Sequence, residues 1–157
     1  MALAFSSGGK YLAAVGVQKT CKVWNVVSGA EVHSWKDSPM FAVAFSPDGK
    51  LLAAGHGDGT IIIWDLGTGK KKRSLRGHMA QLVSLKFTPD GKTLVSSAHD
   101  GTIRVWNPEW ERGREVIALG PEKRPLKIDL DPSGKYLIAG GYSPVIFVLR
   151  LPGKDRG

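Results

Sequence analysis

An all-β chain made of four consecutive antiparallel sheets is predicted by three observations. The phrase Phe45-Ser46-Pro47-Asp48-Gly49-Lys50 returns in edited form as Phe5-Ser6-Ser7-Gly8-Gly9-Lys10, Phe87-Thr88-Pro89-Asp90-Gly91-Lys92 and Leu130-Asp131-Pro132-Ser133-Gly134-Lys135. Its lysines are 40, 42 and 43 residues apart. Each period holds short apolar, β-branched or aromatic runs between turn signals, and Trp24, Trp64 and Trp106 each follow their lysine by fourteen residues. A period of about 40 to 45 residues with several short strands per unit is the signature of propeller blades. The expected units are 2–37, 38–78, 79–120 and an incomplete 121–151, with a tail at 152–157.

The second unit shows the strands most cleanly. Residues 41–45 form an inner strand in which bulky Phe41, Val43 and Phe45 alternate with Ala42 and Ala44, as stacking of sheets on both faces requires. Pro47-Asp48-Gly49 then reverses the chain: proline presets its backbone angle, aspartate bonds the nearby backbone and glycine accepts a positive φ. A second strand spans 51–55. Asp58-Gly59 turns into a third, 60–66, rich in isoleucine and ending in Trp64-Asp65. Gly67-Thr68-Gly69 leads to a more polar outer strand at 71–75, and Arg76-Gly77-His78 ends the unit.

Four strands in three units and three in the last predict a partial or open propeller. Three arrangements stay open: a piece of a longer propeller, a half that associates with itself or another chain, or a strained small ring. The small positions of the inner strands run Ala2 and Ala4, Ala42 and Ala44, Ser84 and Lys86, Lys127 and Asp129. This rising polarity fits a capping blade or a water-lined central channel equally well.

With Gly77-His78 and Trp64-Asp65 in place, residues 2–151 resemble the WD40 repeat family. The resemblance implies blades in rings of about seven. It also implies a hydrogen-bonded structural set that only the third unit carries whole: His78, Ser96, Asp100 and Trp106. Such a set has a physical reason, since a buried imidazole needs partners for both nitrogens. The second unit keeps Asp58 and Trp64 but has Ala54 at the hydroxyl position, the first keeps only Trp24, and the fourth has Leu149 in place of the tryptophan. The family implies a scaffold that binds protein partners on a rim of loops, here Met40, Gln81, His99, Arg124 and Tyr142, with Arg124 and Tyr142 as anchors of the usual chemical type.

Composition narrows the alternatives. A 42% hydrophobic content supports a packed core, and the single cysteine, Cys21, lies in a strand-like run where a packed, inert thiol is expected. No apolar stretch reaches the roughly 20 residues of a membrane helix, and no secretory leader is recognisable, so the cytoplasm is the default location. The 22 basic and 14 acidic residues leave a charge of +8, which favours acidic partners. Its densest run, Lys70, Lys71, Lys72 and Arg73, reads as a solvated outer edge that discourages aggregation, or as a nucleic-acid or polyanion site.

Catalytic motifs fail on context. Gly55-His56-Gly57-Asp58-Gly59 lacks the helix that a dinucleotide loop needs, and Gly67-Thr68-Gly69-Lys70 lacks the phosphate-loop spacing. His33, His56, His78 and His99 show no metal-ligand spacing. His78, Ser96 and Asp100 could make a hydrolase triad, but the resemblance accounts for the same three residues structurally. A non-catalytic interaction scaffold without cofactor or metal is therefore expected, with polyanion binding, or a docking segment of a larger enzyme, as alternatives.

Overall fold

The structure, a computed structural model, describes residues 1–107, 115–118, 125–141, 144 and 146–151. Its described residues form four antiparallel sheets and no helix. The first sheet contains β1 (Ala2–Phe5), β2 (Tyr11–Val15), β3 (Thr20–Asn25) and β4 (Glu31–Lys36), and the second β5 (Met40–Phe45), β6 (Leu51–His56), β7 (Ile61–Asp65) and β8 (Lys71–Leu75). The third contains β9 (Leu82–Phe87), β10 (Leu94–Ala98), β11 (Thr102–Trp106) and β12 (Glu115–Ala118). In the fourth are β13 (Pro125–Leu130), β14 (Tyr136–Gly141) and β15 (Phe147–Arg150). Each sheet is a meander in chain order, and the inner strands β1, β5, β9 and β13 follow one another side by side. These are propeller blades in an unclosed array.

The recurring phrase builds the turn between the first two strands of each blade. In blade 2 the Ser46 hydroxyl donates to Asp48 Oδ1 (2.6 Å) and accepts from the Leu51 amide (2.9 Å), while Gly49 takes φ 70°. Blade 3 repeats this with Thr88 and Asp90. Blade 4 exchanges the two residue types. Asp131 accepts from the Tyr136 amide (2.7 Å) and from the Ser133 hydroxyl, so the same cross-link survives with donor and acceptor interchanged. The turns also stack, since a methyl on Gly134 would lie 2.8 Å from Pro89 Cδ of the preceding blade.

Three apolar clusters fill the gaps between blades. Ala13, Cys21 and Val23 of blade 1 meet Val43, Leu52 and Trp64 of blade 2. Ala44, Ala53, Ile61 and Ile63 on the opposite face of blade 2 meet Leu82, Leu94 and Trp106 of blade 3, and Val95, Ile103 and Val105 meet Ile128 and Leu137 of blade 4. Small residues set the spacing: a methyl on Gly55 would lie 2.6 Å from Leu82 Cβ. Cys21 is fully buried, and burial pushes its thiol up to about 12, so little thiolate is available for chemistry.

Strand ends depart from expectation where long-range pairing intervenes. β5 begins at Met40 and β6 runs to His56 because these two residues pair across a bulge. β7 is shorter than expected because the Thr60 amide is engaged by Asp58 and the Leu66 amide by the Lys50 carbonyl. Equivalent bulges interrupt the β9–β10 and β13–β14 ladders.

Candidate functional site

The loops that join β8 to β9 and β10 to β11 are held together from beneath by His78, Ser96, Asp100 and Trp106. Asp100 accepts hydrogen bonds only, so the Nδ1–H of His78 donates to its Oδ2 (2.9 Å). Nε2 then accepts from the buried Ser96 hydroxyl (2.7 Å), which in turn accepts from Trp106 Nε1–H (2.7 Å). Asp100 also receives the Met79 amide and the Thr102 hydroxyl. The chain of donors thus runs from Trp106 through Ser96 and His78 to Asp100, tying the turn to the preceding loop.

Electrostatics keep this set as a neutral imidazole beside a carboxylate. Burial of His78 disfavours the imidazolium more than Asp100 favours it, so its pKa lies below the ordinary 6.5. Burial opposes the charge of Asp100, but bonds from Thr102, Met79 and His78 outweigh it and hold the carboxyl below its usual range. The Ser96 side chain has no exposed surface and its oxygen is held by two partners, leaving a substrate no approach in this conformation.

The other blades fasten themselves differently. In blade 2, His56 at the end of β6 bonds Ser38 through Nδ1 (2.7 Å), taking the place along the strand that Ala98 has in blade 3. Its signal in the sequence, a histidine two residues before the turn aspartate, lies outside the Gly-His pattern. Between blades 1 and 2, Trp35 stacks on His33 and on Trp64, each at 4.9 Å between centroids. Trp35 Nε1–H donates to the Gly69 carbonyl and His33 Nε2–H to that of Leu66, both at 2.8 Å.

Of the expected rim residues, Met40 needs correction: the bulge at the start of β5 turns its side chain into the core, where it is fully buried. Gln81 and His99 are half-buried neighbours whose backbones bond at 2.9 Å. Arg124 and Tyr142 lie outside the described residues. Met79, which sequence reasoning passed over, is 88% exposed directly beside the clamped His78. Its signal was an apolar residue immediately after Gly77-His78. Lys70, Lys71 and Lys72 are exposed, with Arg73 half-buried, on or beside β8, the outermost strand of blade 2.

Toward the axis, the inner strands enclose an open groove of about 760 Å³. Ala2, Ala44, Ser84, Lys86, Lys127 and Asp129 all line it, with Lys86 paired to Asp129 at 3.0 Å. No helix among the described residues is long and apolar enough to cross a membrane.

The family model described as Vps8 beta-propeller matches residues 2–110. No curated protein matches the chain.

Proposed function

Because the chain belongs to the Vps8 β-propeller family, we propose that it is a non-catalytic, WD40-type scaffold that binds a protein partner on its loop rim, in the cytoplasm. The family match over residues 2–110 is the observation that carries this reading. It is supported by the contrast between exposed Met79 and the hydrogen-bonded clasp of His78 and Asp100 below it, an apolar contact on a tied frame. Gln81 and His99 belong to the same proposed rim.

Immobilised chain is expected to retain a partner protein that a Met79→Glu, Gln81→Ala, His99→Ala variant of unchanged Tm no longer retains. Equal retention by both proteins would reject the rim. The run Lys70–Arg73 on an outer strand of a chain of charge +8 favours a second reading, polyanion binding. For duplex DNA, the logarithm of affinity should then fall linearly with the logarithm of salt concentration, and a flat response would eliminate that reading.

A further inference from the structure

Two arginines enter the seam between blades 2 and 3 from its opposite walls. Arg73 lies opposite Ile63 in the β7–β8 ladder, so it shares the face on which Ile63 packs against blade 3. Arg104 lies opposite Ser96 in the β10–β11 ladder and shares the face on which Ser96 serves His78 and Trp106, the face turned to blade 2. Its guanidinium reaches across the seam. Arg104 Nη1 lies 2.7 Å from the point where a methyl on Gly77, just beyond β8, would sit, so the absence of a side chain there leaves it room.

Both guanidiniums are drawn inward and left without a counter-charge. The two residues are half-buried, yet Arg73 Nε and Arg104 Nε are closed off from water and have no hydrogen-bond partner. Among the described residues no carboxylate comes within ion-pair distance of either. Blade 1 shows the contrasting case. Lys22 follows its turn lysine by twelve residues, as Arg104 follows Lys92, and its own sheet meets it with Glu31 at 2.6 Å. Arg104 instead has Ser96 and Val116 across its two ladders, and Arg73 has Ile63. A guanidinium keeps its charge at every ordinary pH, so two of them in a partly dehydrated seam raise the energy of the free protein. An anion at the mouth of the seam offsets that cost.

We propose that this seam is a binding site for a phosphate-class oxyanion, held by the outward N–H groups of Arg73 and Arg104. The two positive charges match a phosphate group near neutral pH, and its several oxygens can accept from two planar forks where a carboxylate serves one. Burial of the Nε edges fixes each fork before the ligand arrives, which lowers the entropy lost on binding. The site uses neither the loop rim nor the lysines at 70–72. It therefore goes beyond the scaffold and polyanion readings above and can fail while either of them stands.

Titration of the full chain with inorganic phosphate at constant ionic strength tests this, followed through the arginine Nε–H signals in proton–nitrogen correlation spectra. The signals of Arg73 and Arg104 should shift together and saturate, with half-saturation at or below about 1 mM. Acetate over the same range should produce no saturation. Arg73→Gln and Arg104→Gln should each weaken phosphate binding about tenfold or more, whereas a chain carrying Lys70→Ala, Lys71→Ala and Lys72→Ala should bind it almost unchanged. Competition then separates two sources of the same chemistry. Displacement by glycerol phosphate alone assigns a dissolved phosphate ester, displacement by phosphatidylcholine vesicles containing phosphatidic acid assigns a lipid headgroup, and both uphold the site.

Wild-type signals that drift without saturating below about 10 mM phosphate, or that follow acetate as closely as phosphate, overturn the proposal whether or not the variants fold. Unchanged phosphate affinity in a folded Arg73→Gln or Arg104→Gln chain overturns it as well. So does loss of binding in the lysine variant with both arginines intact, which would place the ion on the outer strand instead.

Discussion

Ser96 serves two buried partners at once, accepting from Trp106 and donating to His78. Ser96→Ala leaves both nitrogens unpaired in a space too closed for free hydration, and should cost about 2 to 3 kcal/mol at equilibrium, given roughly 1 to 3 for each orphaned group. Urea unfolding measures this, and a loss below about 0.5 kcal/mol would mean that water or a shifted side chain replaces the hydroxyl. The histidines set a pH dependence. His78 and His56 both have folded pKa values below the ordinary 6.5, with burial as the first cause, so protons bind the unfolded chain more tightly. Their contribution is complete above about pH 7.5 and is lost as pH falls through the unfolded value toward the folded ones. Unfolding free energy should therefore drop as pH falls through about 6.5 toward the lower folded values, and a flat profile there would contradict neutral burial. The lowered Asp100 acts in the same direction farther down, below the ordinary 3.8.

At the scale of the element, glycine does two separable things. Gly49 needs its left-handed φ of 70° but has open space around its α-carbon, whereas a methyl on Gly55 would press into Leu82 of the next blade. Gly49→Ala should cost about 1 to 2 kcal/mol through backbone strain alone. Gly55→Ala should cost about 1 to 3 kcal/mol by forcing blades 2 and 3 apart, and because the closest atom is Leu82 Cβ the clash should be relieved by Leu82→Gly in the same chain, which removes that atom. Independent additive losses from Gly55→Ala and Leu82→Gly in urea titrations would show that the blades do not touch there. The outer strand β8 coincides with the expected 71–75 because its limits are written in local turn residues. Met40 was misread because its burial depends on pairing with His56, sixteen residues away, across a bulge that no local residue announces.

Over the whole molecule, position in the stack decides protection. Blades 2 and 3 have apolar interfaces on both sides, while blades 1 and 4 have one each among the described residues. In dilute solution, amides of β6 and β10 should exchange most slowly and those of β2 and β14 measurably faster. Hydrogen exchange followed by mass spectrometry distinguishes this order from uniform protection. Equal exchange in all four blades would contradict protection set by the apolar interfaces on each side of a blade.

Strands, turns and the membership of the His78 clasp were legible in the amino-acid sequence alone. Turn geometry follows from proline, aspartate and glycine at fixed offsets, and strand faces follow from a period of two. The clasp could be read because its members recur at motif positions, even though they come from three segments. Only the tertiary structure decided that Met40 points inward, that Trp35 reaches across to stack on Trp64, and that His56 fastens blade 2 through Ser38. Local spacing specifies how a blade is made, but which surface meets which is set by contacts between residues tens of positions apart, where packing and closure outweigh any propensity of the chain.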